Sequence, residues 1–154
     1  MQLITNKNTG ETFPIQIGSV LPGFMNKECK ADQNLFTFEG TAINTAYKKD
    51  NKDIIATAKL FLNAPYLWGG RNIFGIDCSG FTQLVFKLNG YKLPRDAYQQ
   101  AELGHPLSFV EEAEAGDIAF FDNEEGKIVH VGILLDNQHI IHASGQVRID
   151  KFDH

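Results

Sequence analysis

Two stretches of the chain carry apolar residues at helical spacing. Ile54, Ile55, Ala58, Phe61 and Leu62 form one stripe. Asp53 reads as its N-cap, and Asn63-Ala-Pro65 stops it. Phe81, Leu84, Val85 and Leu88 form the second, closed by Asn89-Gly90, so a helix begins near Cys78. Farther on the pattern shortens to strands: Asp117–Phe121, then 127–135, then 139–144, with Asp136-Asn-Gln138 supplying turn chemistry between the last two. Residues 95–103 read as a short helix ending at Gly104. Before all of these, residues 1–45 show no helical period. Turn signals at Gly10, Pro14, Gly18, Pro22-Gly23 and Gly40 leave candidate strands at 12–17, 34–39 and 40–44. A polar run, Tyr47 to Asp53, follows. The organisation expected is therefore a β-rich region with linker over 1–50, then an α+β domain over 51–154.

Cys78 stands where the glycine-rich turn Trp68-Gly-Gly-Arg-Asn-Ile-Phe-Gly75 ends and the second helix starts. A thiol there lies beside unpaired backbone N–H groups and the positive end of the helix dipole, both of which favour a thiolate. A lone cysteine is more often a core residue, but Asp77 and Ser79 flank this one and would sit badly in a dry core. The expectation is a nucleophile. Asp77 serves as N-cap or binds a substrate ammonium, and both can hold at once. Tyr66 and Trp68 either line the pocket or wedge the turn.

A nucleophilic thiol needs a base, and the paired strands carry two histidines. A three-residue loop pairs Leu135 with His139 and sets His142 opposite Gly132. His130 and His142 then share one face as diagonal neighbours. A loop of two or four residues would separate them. In this register His130 takes the Cys78 proton and His142 fixes the His130 ring. Gly132 would leave space above that ring for substrate.

Composition narrows the classes. With 43% apolar residues and twelve Phe, the chain can build a packed core. A net charge of −5, with Lys48-Lys49 as the densest basic pair, argues against nucleic acid as partner. No apolar run reaches the length of a membrane span, and Met1-Gln-Leu-Ile-Thr5 lacks the features of a leader. As written, the chain is expected in the cytoplasm, or outside it if a leader was removed. Two cysteines, one given to chemistry, leave no disulfide, and Cys29 reads as a structural thiol. Glu111–Glu114 reads as a solvated acidic surface.

These blocks together resemble the NlpC/P60 cysteine peptidases: Tyr66-x-Trp68-Gly69-Gly70, Gly75-x-Asp77-Cys78-Ser79-Gly80-Phe81, Leu93-Pro94-Arg95, Gly116-Asp117-x-x-Phe120-Phe121, His130-Val-Gly-Ile133 and Ile141-His142-Ala143. The resemblance spans roughly residues 55–149 and implies a papain-like α+β core of helices packed on an antiparallel sheet. It implies Cys78 as nucleophile, His130 as base and His142 as third polar residue, with Tyr66, Asp77 and Ser79 lining the substrate site. The substrate it implies is a peptidoglycan-derived stem peptide, cut after γ-D-Glu, with no cofactor. Ala97 departs from the serine many members carry after the Pro-Arg pair. The N-terminal β region resembles bacterial SH3-like domains but is short for a complete barrel. Relatives continue past the last assigned strand, so the resemblance leaves either an open sheet edge or a C-terminally truncated domain.

Two other functions compete. A zinc site could draw on Cys78, His130 and His142 with His139 or Asp77, yet His139 faces the other side of its strand. A non-catalytic cell-wall binding module is the second, and it needs none of the Cys and His residues.

Overall fold

The structure is a computed structural model that describes residues 2–152. It resolves into two units, Met1–Asn44 and Thr45–His154. In the first, β1 (Gln2–Asn6), β2 (Thr12–Ile15), β3 (Glu28–Ala31) and β4 (Asn34–Phe38) form one antiparallel sheet in the order β2-β1-β4-β3. Its core is small: Ile4, Cys29 and Phe38 are buried, with Ile15, Leu21, Phe24 and Phe36 packed around them. Cys29 is thus the structural thiol expected.

Two of these strands were not legible in advance. β1 and β3 each bury a single residue, Ile4 and Cys29, so neither shows a period of two. The strand expected over 40–44 does not form, and those residues are exposed.

The second unit comprises α1 (Asn51–Lys59), β5 (Arg71–Asn72), β6 (Gly75–Ile76), α2 (Cys78–Leu88), α3 (Ala97–Ala101), β7 (Ile118–Asp122), β8 (Ile128–Leu134), β9 (His139–Ser144) and β10 (Gln146–Lys151), with a 3₁₀ turn at Val110–Glu112. A four-stranded antiparallel sheet runs β10-β9-β8-β7. α2 packs on β8 and β9, and α1 packs on α2. The shared core holds Ile54, Phe61, Phe81, Val85, Ile133, Ile141 and Val147, and the rings of Phe61 and Phe81 meet edge to face. Helices on an antiparallel sheet give the α+β class read from the sequence.

Local corrections have simple causes. α1 starts one turn early, because Asp50 is the N-cap and its side chain accepts the Asp53 backbone N–H at 3.0 Å. Asp53 instead lies in the first turn, where a negative charge suits the dipole. Phe61 is buried, but past the helix end. α3 is shorter than expected, running only from Ala97 to Ala101. β10 was not foreseen as a strand. Gly145, at φ 71°, reverses the chain in a single residue, so Ser144 pairs with Gln146. Among the described residues, no helix is long and apolar enough to cross a membrane.

Candidate active site

Asp77 builds the start of α2. Its carboxylate accepts the backbone N–H of Gly80 at 2.7 Å and of Gly69 at 2.8 Å, tying the glycine-rich turn to the helix. Arg95 grips it with both guanidinium nitrogens, at 3.0 and 2.6 Å, and also donates to the Ser79 hydroxyl at 2.8 Å. Burial raises the Asp77 pKa, but Arg95 and the two N–H groups outweigh it and hold the carboxyl below the usual range. Both oxygens are engaged, and of its two expected roles the structure displays the N-cap. Ser79 is buried on the same network. Arg95 appeared in the sequence only as part of a Pro-Arg pair and had no role. Gln100 explains its placement: the buried amide donates to the carbonyls of Ser79 and Pro94, both at 3.0 Å, and fastens the Arg95 segment to the first turn of α2.

Cys78 is the first residue of α2 and is half-buried. The backbone N–H groups of Val131, on β8, and of Ser79 act to lower its pKa. The helix start does not by itself lower the pKa of this thiol. Burial pushes the thiol above its ordinary value and exceeds what those N–H groups recover; Asp77 adds to the rise. A neighbouring group able to take the proton would favour the thiolate.

His130 is adjacent in the chain to Val131. β8 and β9 pair in the register expected, Ile133 with Ile141 and Leu134 with Ile140, and Leu135 N–H reaches the His139 carbonyl at 2.8 Å. His130 Nε2 consequently lies 2.7 Å from His142 Nδ1. Phe121, opposite His130 on β7, packs its ring on the imidazole at 5.6 Å between centroids. Burial, and then the His142 ring, lower the His130 pKa. Gly132 serves these strands rather than the substrate: a Cβ there would fall 2.6 Å from Ile140 Cδ1 and 2.9 Å from His142 Cβ. The space is already filled.

Tyr66 stands on the same side as the sulfur. Burial first, then Cys78 and Asp77, raise its phenol pKa, while Arg95 opposes them. Trp68 does not wedge the turn, being 86% exposed. His142 continues outward through Nε2, 2.9 Å from Asp150 Oδ2 on β10. Asp150 was missed because no strand was assigned there. The alternation Arg148-Ile-Asp150 beyond Gly145 was the available signal. His139 pairs with exposed Asp136, away from these groups. Among the described residues, no three His, Cys, Asp or Glu side chains are grouped to hold a metal ion.

The sequence profile described as the NlpC/P60 family matches residues 63–154. The chain belongs to the NlpC/P60 family. Relatives within it include the gamma-D-glutamyl-L-lysine dipeptidyl-peptidase of Bacillus subtilis (strain 168), 43% identical over 70% of this chain and 37% of that protein. Its namesake in Bacillus cereus (strain ATCC 10987) is 39% identical over 59% and 28%. This NlpC/P60 chain thus spans about a third of the length of the curated relatives it matches. Among solved structures, an NlpC/P60 family protein from Bacillus cereus ATCC 10987 superposes with a TM-score of 0.83 at 24% identity, covering 99% of this chain and 56% of that one. The NlpC/p60 domain of the peptidoglycan hydrolase SagA gives 0.61 at 33% identity, covering 67% and 90%.

Proposed function

We propose that the chain is a cysteine endopeptidase that hydrolyses the amide bond between γ-D-Glu and a diamino acid in peptidoglycan stem peptides. The observation that carries this reading is the meeting of Cys78, at the start of α2, with the β8 backbone beside His130, whose ring is linked to His142. The names of the relatives supply the bond and favour L-lysine as the diamino acid.

Because His130 Nε2 is committed to His142, Nδ1 is the nitrogen left for chemistry. It takes the Cys78 proton as the sulfur attacks the γ-glutamyl carbonyl carbon. First-turn N–H groups of α2 meet the oxyanion. Collapse breaks the C–N bond, and the departing amine takes the proton from His130. Water then attacks the thioester, giving its proton to His130. The γ-glutamyl carboxylate leaves and the thiol re-forms. Tyr66 and Arg95, the latter held by Asp77 and Ser79, form the polar wall beside the sulfur.

Mass spectrometry after incubation with L-Ala-γ-D-Glu-L-Lys, and with its diaminopimelate counterpart, tests the reading. Release of L-Ala-γ-D-Glu by the protein and not by Cys78→Ala is the expected result. Intact peptides in both samples would overturn it.

A further inference from the structure

Beyond His142 the hydrogen-bonded chain continues to two residues of β10. His142 Nε2 lies 2.9 Å from Asp150 Oδ2, and that oxygen also accepts from Arg148 Nε at 2.7 Å and Nη2 at 2.6 Å. The strand register makes the arrangement. Arg148 is directly opposite His142 across β9 and β10, while Asp150, two residues on, shares its face and is diagonal to the imidazole. Hydrogen bonds from His142 first, then Arg148, hold the Asp150 carboxyl below the usual range, so it is an anion at neutral pH.

An ionised carboxylate only accepts, which decides the tautomers along the whole line. His142 carries its hydrogen on Nε2 to reach Asp150, so its Nδ1 is the acceptor. His130 therefore carries its hydrogen on Nε2, and its Nδ1 keeps the lone pair. We propose that Asp150 is a positioning residue for the hydrolysis: by fixing the tautomer of His142 it presents the basic nitrogen of His130 to Cys78. The proposal rests on the peptidase reading above and deepens it. Arg148 holds the carboxylate in line, and the negative charge supports the imidazolium that forms when His130 takes the proton. The groups shown against this histidine pair are Asp150 and Arg148 from β10 and the uncharged ring of Phe121 from β7.

Asp150→Asn and Asp150→Ala, assayed on L-Ala-γ-D-Glu-L-Lys beside the unmodified protein and Cys78→Ala, test it. We expect kcat to fall about 10- to 100-fold, the range seen when the hydrogen-bond partner of a metal-binding histidine is removed, with KM within about twofold. The acid limb of the rate profile should move to lower pH, because loss of the carboxylate weakens support for the imidazolium and leaves Arg148 unopposed. A purely structural role would not move that limb. Unchanged kcat and pH profile, with Cys78→Ala inactive, would overturn the role of Asp150 and leave the peptidase reading intact. If the unmodified protein does not cleave the peptide, the peptidase reading fails instead. Nitrogen-15 spectra of the unmodified protein then judge the tautomer alone. Hydrogen on Nε2 of both His142 and His130 supports the assignment, and hydrogen on Nδ1 of either overturns it without any variant having to fold.

Discussion

His130 and His142 touch through unlike ring nitrogens, Nε2 to Nδ1 at 2.7 Å. Their rings stand at 72° with centroids 5.0 Å apart, so this is a directed hydrogen bond and not a stack. One ring is fixed by the other. His142→Ala should therefore lower kcat far more than it raises KM, by between about 10-fold and the 10⁴-fold seen when a serine protease loses its orienting carboxylate. His142→Asn, which can still present an oxygen to His130, should recover part of the loss. Steady-state kinetics on the tripeptide check both, and equal damage to kcat and KM would point to collapse of the site.

Thiol accessibility separates the two cysteines. Cys29 is 3% exposed in the core of the N-terminal sheet, and burial raises its pKa. Cys78 is also raised, but it is half-buried at the start of α2. Iodoacetamide at neutral pH should label Cys78 well before Cys29, with peptide mapping as the readout. Preferential labelling of Cys29 would contradict the site.

The pH dependence follows from the direction of the His130 shift. Burial and the His142 ring both lower its pKa, so neutral imidazole survives below the ordinary histidine value of about 6.5. With the neutral ring as the base proposed above, the acid limb of kcat/KM should fall below about pH 6.5. A limb well above that value would mean the ring titrates in a different environment.

Much of this site was legible because helix and hairpin signals are local. The period after Cys78, the Asn89-Gly90 stop and the Asp-Asn-Gln turn each specify their element within a few residues, and the turn length alone fixes which faces of β8 and β9 meet. What escaped depended on distant partners. Arg95 gains its role from Asp77, eighteen residues earlier, and from Gln100 anchoring its segment. Asp150 gains its role from a one-residue reversal at Gly145. The Cys78 pKa escaped for a related reason: the helix start is visible in sequence, whereas the burial that outweighs it depends on the tertiary fold.

The Asp77–Arg95 pair should matter for stability as well as for the site. Asp77 is buried and Arg95 partly exposed, with side chains 9% and 28% accessible. Arg95→Met leaves the carboxylate to the N–H groups of Gly69 and Gly80. The expected loss is about 2 kcal/mol, below the 3–5 kcal/mol for a fully buried pair because water still reaches the guanidinium. The folded-state pKa of Asp77 is depressed, so its contribution is present above the ordinary carboxylate value and disappears as pH falls through the folded value. Urea unfolding from pH 7 down to pH 2 should show the two proteins converging at the acid end. A constant gap across that range would place the loss elsewhere.

Gly132 tests the strand register against the chemistry. It lies on β8 between His130 and the paired residue Ile133, and β9 presses on it so closely that an added Cβ would stand 2.6 Å from Ile140 Cδ1 and 2.9 Å from His142 Cβ. The Ile140 methyl is the end of a side chain and can turn away. The His142 Cβ is fixed to the β9 backbone, so relief there requires moving the histidine itself. Gly132→Ala should accordingly cost about 1–3 kcal/mol, as overpacked core substitutions do. It should also lengthen the His130–His142 hydrogen bond and lower kcat at least about tenfold, with KM little changed. Ile140→Val in the same chain removes the Cδ1 contact at 2.6 Å and should return part of the stability without returning kcat, because the contact with His142 persists. Urea unfolding and tripeptide kinetics on the single and double variants read the two effects separately; full recovery of kcat in the double variant would show that the Ile140 contact alone had displaced the histidine.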